Sequence, residues 1–585
     1  MCGVFGYIGK KDQKILESMG MSMAHRGPDD MKFTSCGNAN LGYRRLSIID
    51  VAGSFQPLYN EDKSIILFFN GEVYNFAELR SKLESHKFLT VGDGETIVHW
   101  YEEHGVSGFA QLNGMFGFAL LDLKKKKLIL ARDHFGIKPL YYTLEPFVFA
   151  SEIKTILASG LIKAKQNVAV IKKYLLTRNH DDSEETFFEG IYRLMPGEYL
   201  EYDLQINNIE KKSFWSLSTF GRNDSALVTD SQAIKMFKNL FLDSIKLRQI
   251  SDVPVGTALS GGLDSSAVVC TAPYLKTFSA VFPDGINNEE EYIDEVVKNT
   301  GVKAFKVYPK VEEFWQDITK LISSQDEPMI STGPYAQWKV MEKARMEGIK
   351  VIIDGQGADE MMGGYTPYYF VYFRELFRKN DYLTLFKELF LSLDLVLPLI
   401  FEKLRNKTKV SDLFNFDLKT EPPVTANLKE RLKSDLFKNS LPALLRYEDH
   451  TSMAFSIESR VPFLDYRLVE FVFSLPDRYL IRNGWNKWIM RQALCDLLPA
   501  KIVSRRWKVG FSTPEVSWLR ETADEVRKLF QSATFLSRPY FNHAKIQQGF
   551  DEFAAGKTDD SMVFWRIINV ELWLRIYFPQ IREKI

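Results

Sequence analysis

The chain has 585 residues, and its 75 lysines and arginines match its 75 aspartates and glutamates. That length exceeds one hydrophobic core and implies roughly two to four units at about 150 residues each. The charge balance offers no footprint for nucleic acid or an anionic membrane, so small molecules or other proteins are the expected partners. In chain order, residues 1–205 read as short strands with Gly- and Asn-rich turns ("SIILFFNGEVYN", "FGFALLDLKKKKLILARD", "PFVFASE"), mostly β with a few helices. The lysine run 124–127 reads as a solvated hairpin turn. The polar, unperiodic segment 205–229 marks a boundary, which gives units 1–205 and 206–585. Beyond it, helical periodicity ("DSQAIKMFKNLFLDSIKLRQI") alternates with short apolar strands ("PVGTALS", "KTFSAVF", "KAFKVY", "KVIIDGQG"), the pattern of a parallel sheet covered by helices. Helices dominate from about residue 366, and the aromatic stripe of "YFVYFRELFRKNDYLTLFKELFLSLDLVLPLIFEKL" reads as core packing.

Cys2, Cys36, Cys270 and Cys495 include no CxxC pair, so neither a disulfide framework nor a cysteine-held zinc site is expected. The N-terminus lacks the basic start and long apolar run of a signal peptide, and "FLSLDLVLPLIF" is interrupted by Asp394 and Pro398. A soluble, cytoplasmic protein without a membrane span is the expectation.

"MCGVFGYIG" places a small residue after the initiator methionine, so methionine removal would leave Cys2 with a free α-amine. A thiol of pKa about 8.5 needs a nearby base, and an α-amine of pKa about 8 acting through water is one. Further along come "AHRGPDD" (24–30), "YRRLSIID" (43–50), "FFNGEVYN" (68–75), "TVGDGETI" (90–97), "RDHFGIKPLYY" (132–142) and "FASEIKTIL" (149–157). With Cys2, these resemble the glutaminase domain of the class II glutamine amidotransferases over most of residues 2–200. The resemblance implies an α+β N-terminal-nucleophile fold of stacked β-sheets flanked by helices. It also implies that Asn70 and Gly71 form an oxyanion hole, in which each donor is worth about 3–4 kcal/mol. Arg45 would grip the glutamine α-carboxylate, with Leu46, Ser47, Ile48 and Ile49 beside it, while Asp93 and Glu72 would face the α-ammonium and amide ends.

"VGTALSGGLDSSAVV" (255–269) is a strand, a glycine-hinged loop and a helix start. Backbone N–H groups at the helix N-terminus, the hydroxyls of Ser265 and Ser266, and Gly261 and Gly262 make a phosphate cradle. It lacks the lysine of GxxxxGK[ST], which disfavours terminal phosphate transfer. The string SGGLDSS resembles the pyrophosphate loop of ATP pyrophosphatases, which cleave ATP between its α and β phosphates. A class II glutaminase followed by an α/β parallel-sheet ATP pyrophosphatase-type domain with a helical C-terminal part is similar to the glutamine-dependent asparagine synthetase family. "VIIDGQGADEMMGGY" (351–365), "SMAFSIESRVPFLDYRLVEFV" (452–472) and "NKWIMRQALCDLLP" (486–499) extend that likeness along nearly the whole chain.

The resemblance implies an acyl-adenylate formed from a carboxylate and ATP, and ammonia passing internally from the first site to the second. It puts Leu259, Ala280, Asp354 and Gly355 at the nucleoside, Ser260 with the rest of the SGGLDSS loop and Lys487 at the phosphates, and Asp264 and Asp359 on Mg2+. The expected partners are glutamine, ATP and a carboxylate acceptor, and a homodimer stays open. One residue departs from the family pattern: Gln356 stands where a glutamate usually sits between two glycines. An amide is neither a base nor a charge, though it can hydrogen-bond a substrate. "DGQGADE", with "QDEP" at 325–328, looks more like homologues thought to amidate sugar uronates. Glutamine-hydrolysing asparagine synthesis is the leading expectation, with a uronate acceptor as the alternative. A catalytically inactive binding homologue is the third, against which Cys2, Asn70, Asp264 and Asp359 argue.

Overall fold

Twelve strands in the first 213 residues form two antiparallel six-stranded sheets in the computed structural model, which describes residues 2–217, 229–283, 288–405, 410–417, 427–507 and 513–579. They are β1 (Gly3–Ile8), β2 (Asp30–Cys36), β3 (Ala39–Arg45), β4 (Leu58–Tyr59), β5 (Ile65–Val73), β6 (Gly114–Asp122), β7 (Lys127–Arg132), β8 (Tyr141–Tyr142), β9 (Val148–Ala150), β10 (Tyr192–Arg193), β11 (Glu198–Asp203) and β12 (Asn208–Ser213). One sheet has the order β10-β8-β9-β1-β3-β2 and the other β12-β11-β7-β6-β5-β4.

Alternation along the strands sets the layers. Val4 and Leu41 of the first sheet meet Phe68, Ala119 and Leu130 of the second in a shared core. On the first sheet's other face, Phe5 and Tyr7 pack with Leu16, Met19 and Ile153 from helices. On the second sheet's other face, Phe69, Phe116 and Phe118 pack with Ile97 and Trp100 of the helix Gly94–His104. The result is two stacked sheets with a helical layer outside each. β12 pairs with β11 along its whole length, so this sheet ends beyond the boundary expected at residue 205. Its sequence NIEKKS is almost entirely exposed at a sheet edge, which gives it the composition of a linker.

The second unit is built on β13 (Val255–Ala258), β14 (Lys276–Ala280), β15 (Ala304–Val307), β16 (Val351–Ile353) and β17 (Glu458–Arg460), all parallel, in the order β15-β14-β13-β16-β17. The chain winds outward from β13 to one edge, then crosses to β16 and winds to the other. In such sheets a crevice opens at the carboxyl ends of the two strands where the winding reverses. Here those strands are β13 and β16, which precede SGGLDSS and DGQGADE.

The two units share a core. Tyr174 Oη donates to Met329 O at 2.6 Å, and the N–H of Ile153 donates to Asp326 Oδ2 at 2.8 Å. Arg193 pairs with Glu327 at 3.0 Å, and Arg446 with Asp181 at 3.1 Å, all buried. Two residues of QDEP are therefore interface groups: Asp326 and Glu327 accept the N–H groups of Ile153 and Phe187 in the first unit, while the fully buried Gln325 donates to Thr451 of the helix Leu441–Ala454 within its own unit.

The aromatic stripe splits. Tyr368, Tyr369 and Tyr372 of the helix Pro367–Arg378 enter the core, as expected. In the next helix, Tyr382–Leu391, Leu383, Phe386 and Phe390 are 89%, 68% and 73% exposed, which corrects the expectation of core packing. The inner side of this helix carries Leu385, Leu389 and Glu388. Glu388 turns inward to accept the backbone N–H groups of Asn483 and Gly484 at 2.8 and 2.7 Å, and the aromatic side of the helix is left facing solvent. No described helix is long and apolar enough to cross a membrane.

Candidate active sites

The first candidate site lies where the two antiparallel sheets meet at one end. Cys2 leads into β1, Arg45 ends β3, and Asn70, Gly71 and Glu72 lie on β5. The backbone N–H of Cys2 donates to Asn70 Oδ1 at 3.1 Å, while Asn70 Nδ2 is buried without a hydrogen-bond partner among the described residues. Gly71 has φ +149°, and a Cβ there would stand 1.9 Å from Met115 O, so only glycine fits. Cys2, Arg45, Leu46, Ser47, Ile48, Ile49, Gly71, Glu72 and Asp93 line one cavity, about 430 Å3 with its open mouth included. Asn70 supports it from behind.

The Arg45 guanidinium donates to the carbonyls of Val51 and Asp50 at 3.0 and 2.9 Å and stacks over Phe55. Two of its five N–H groups thus hold the loop that walls the cavity. Asp93 Oδ2 accepts the N–H of Val73 at 2.7 Å, and burial pushes its carboxyl up to about 6. Burial also raises Glu72 well above the carboxylate range and pushes the Cys2 thiol up. Sequence reading missed Ser54, Gln56, Leu58, Phe69 and Gly94 in the lining. Gln56 had no motif to mark it, yet its amide clamps β5 by bonding both N and O of Phe69, at 2.7 and 2.8 Å.

The second candidate site occupies the crevice between β13 and β16. Ser260, Asp264, Ser265, Asp354, Gly355, Gln356 and Asp359 line one cavity, about 960 Å3 with its open mouth included. Gly355 lets the two loops touch, since a Cβ there would lie 3.0 Å from Asp264 Cβ and from Ser265 N. Ser265 Oγ ties the cradle by accepting the N–H of Ser260 at 3.1 Å. Leu259, Gly261, Gly262, Ser266, Ala280 and Lys487 form its support outside the lining. Lys487 Nζ stands 2.6 Å from Asp264 Oδ1 and 2.6 Å from Asp359 Oδ1, so one buried ammonium bridges the two carboxylates expected on Mg2+. Gly364 makes room for this triad, because its Cβ would fall 1.8 Å from Asp359 Oδ1.

Sequence reading missed the opposite wall: Ile330, Ser331, Gly333, Pro334 and Gln337 from one segment, Leu444 and Tyr447 from another, and Tyr365. The one available signal was "STGP" at 331–334, a helix start with proline at its head.

Buried charge joins the two sites. Arg26 donates to Cys2 O at 3.3 Å and to Asp449 at 2.8 Å. Arg460 of β17 pairs with Glu458 at 2.6 Å and reaches Glu72 at 3.3 Å. Glu448 accepts from the hydroxyl of Ser459, and burial, then the neighbouring charge of Asp354, raises its carboxyl.

Residues 1–215 match the family model described as a glutamine amidotransferase domain, and residues 236–575 match the one described as asparagine synthase. Together these units define an ATP-dependent, glutamine-hydrolysing ligase. Asparagine synthetase (glutamine-hydrolyzing) 1 of Bacillus subtilis strain 168 is 28% identical, across 99% of this chain and 98% of its own length. Asparagine synthetase (glutamine-hydrolyzing) 2 of the same organism is 32% identical over 86% of this chain and 71% of its own. The enzyme of that name from Sandersonia aurantiaca is 29% identical over 89% of this chain and 88% of its own. The chain belongs to the asparagine synthase family.

Proposed function

We propose that this ligase makes asparagine: glutamine is hydrolysed at Cys2, aspartate is adenylated by ATP in the second cavity, and ammonia displaces AMP from the acyl-adenylate. The observation that carries this reading is a run of buried polar contacts from the carbonyl of Cys2 through Arg26, Asp449, Lys138 and Ser459 to Glu448, whose carboxyl feels the charge of Asp354 in the second cavity. The curated names of its relatives point to the same product.

In this reading the nitrogen of Cys2 that donates to Asn70 becomes the α-amine once Met1 is removed, which places the base on the nucleophile's own residue. Asn70 Nδ2, a buried donor without a partner, suits an oxyanion. Arg45 and Asp93 take the two ends of glutamine's amino-acid group. At the second site SGGLDSS holds the ATP phosphates, and Leu259, Ala280, Asp354 and Gly355 hold the nucleoside. Mg2+ fits Asp264 and Asp359, two carboxylates that already converge on a single cation, and would supply charge for the pyrophosphate leaving group.

Gln356 in the lining of a 960 Å3 cavity favours a second reading, in which the acceptor is a sugar uronate. Burial of Gln325, Asp326 and Glu327 outside the lining of the second cavity leaves Gln356 as the residue on which that reading stands. The test measures pyrophosphate and amide product with glutamine, Mg-ATP and either aspartate or nucleotide-linked uronates. Turnover with aspartate at least tenfold above every uronate supports asparagine synthesis, and the reverse order replaces it.

A further inference from the structure

We propose that the glutaminase unit carries a transition-metal site suited to Zn2+, made by Glu61, His86, His99 and Glu102. The four residues come from three segments: the turn after β4, the loop 86–93, and the helix Gly94–His104. One ligand atom from each lies within 4.8 Å of all the others.

The distances match a coordination shell. His99 Nδ1 is 3.1 Å from Glu102 Oε2 and 3.7 Å from Glu61 Oε2. His86 Nδ1 is 3.3 Å from Glu61 Oε1 and 3.7 Å from Glu102 Oε2. A tetrahedral ion with bonds of about 2.0–2.2 Å sets its ligand atoms roughly 3.3–3.6 Å apart. The four separations lie around that spacing. Glu61 turns Oε1 to His86 and Oε2 to His99, so a small rotation of its carboxylate would complete the shell, and both imidazoles present Nδ1 to the same two carboxylates.

The surroundings have the outer-shell arrangement of metal-bound histidines, whose second ring nitrogen faces a carboxylate. His86 Nε2 is 3.0 Å from Glu103 Oε1, and His99 Nε2 is 3.6 Å from Glu95 Oε1. His86 Nε2 is held directly by Glu103, while His99 Nδ1 shares a hydrogen bond with Glu102 Oε2 at 3.1 Å, whose proton a bound ion would replace. The ligand carboxylates are held in turn: Asn60 Nδ2 donates to Glu102 Oε1 at 2.8 Å, and Lys87 N donates to Glu61 Oε1 at 2.9 Å. Among the described residues, the ion-pair partners of Glu61, Glu95, Glu102 and Glu103 are these two histidines alone. Four carboxylates around two imidazoles make a concentration of negative charge that a divalent cation neutralises. The ion would tie the helix Gly94–His104, whose first turn follows Asp93, to the two loops beneath it.

The experiment strips full-length protein with a chelator and titrates it with Zn2+ alone, then with Co2+ as a spectroscopic probe. Because His99 is buried and its substitution can disturb folding, His86→Gln and Glu61→Gln, on the solvent side, are the deciding variants. Wild type is expected to bind one more equivalent of Zn2+ than either variant and to show the visible absorption of tetrahedral Co2+. Glu103→Gln, which meets the outer nitrogen of His86 and the hydroxyl of Ser85 but no proposed ligand atom, is expected to weaken Zn2+ binding roughly 10–100-fold. Equal Zn2+ uptake by wild type, His86→Gln and Glu61→Gln, or Co2+ spectra that do not differ among them, overturns the site.

Discussion

The backbone N–H of Cys2 donates to Oδ1 of Asn70 at 3.1 Å, and this bond orients the Asn70 amide so that its Nδ2 remains as a buried donor without a partner. An unmade buried hydrogen bond costs about 1–3 kcal/mol, a cost that an oxyanion at that donor would reverse. Asn70→Ala is therefore expected to lower glutamate release about 100–1000-fold, with amide formation from ammonium salts retained. Cys2→Ala is expected to abolish glutamine-dependent turnover with the same sparing of ammonia-dependent turnover. Parallel assays of glutamate and pyrophosphate check both, and equal loss of the two activities would move Asn70 out of the glutaminase chemistry.

With Asp93 in its proposed place at glutamine's ammonium, the glutaminase acquires a pH limit. Burial raises the Asp93 carboxyl to about 6, so the carboxylate is lost as pH falls below that value. The expected kcat/KM for glutamine declines with decreasing pH below about 6, and Asp93→Asn flattens this limb at a lower level. Stability has the opposite slope. Between the ordinary 3.8 and about 6 the folded chain keeps a proton that the unfolded chain has released, so rising pH through this window destabilises the fold by about 3 kcal/mol. Urea denaturation of wild type and Asp93→Asn at pH 4.5 and 7 reads that difference directly.

Lys487 neutralises Asp264 and Asp359 from 2.6 Å. Lys487→Met leaves two buried carboxylates facing each other, a loss of about 3–5 kcal/mol for breaking a buried pair. The expected signature is a lowered melting temperature that Mg2+ raises more in the variant than in wild type, together with loss of ATP-dependent pyrophosphate release. A variant whose melting temperature is indifferent to Mg2+ would count against a metal at this pair.

The interface network makes stability of the two units interdependent. Arg193→Met leaves Glu327 and Asp181 short of one buried partner and is expected to cost about 3–5 kcal/mol. Adding Glu327→Leu should recover part of that loss, a non-additive cycle measurable by chemical denaturation. Additive losses would show that the pair is not coupled.

The stretches that were legible are those whose chemistry is local. SGGLDSS and DGQGADE each follow a strand directly, because the loop at a strand's carboxyl end must turn tightly, expose backbone N–H groups and start a helix within a few residues. Gly71 and Gly355 were marked by the family likeness, and the folded chain adds the steric reason: each backbone approaches another segment too closely for a side chain. Short strands with Gly- and Asn-rich turns announced sheets in the first half, and helical periodicity between short apolar strands announced a parallel sheet in the second. β12 escaped because an exposed edge strand has the composition of a linker.

Motif order and the family likeness those motifs carry determined two catalytic-type units, their sequence along the chain and part of the loops around each cavity. Tertiary structure alone decided which distant charges neutralise one another and which faces meet water. Lys487 reaches Asp264 across 223 positions, and Asp326 and Glu327 of QDEP lie at the interface between units rather than in the lining of the second cavity. Glu388 turns inward while Phe386 and Phe390 face the surface, and His86 and His99 meet Glu61 only when two loops close on one helix. The physical reason is common to all of them. Local pattern sets what a segment can bury, but the energy of a charge or an aromatic ring depends on the partner opposite it, which exists only in the folded chain.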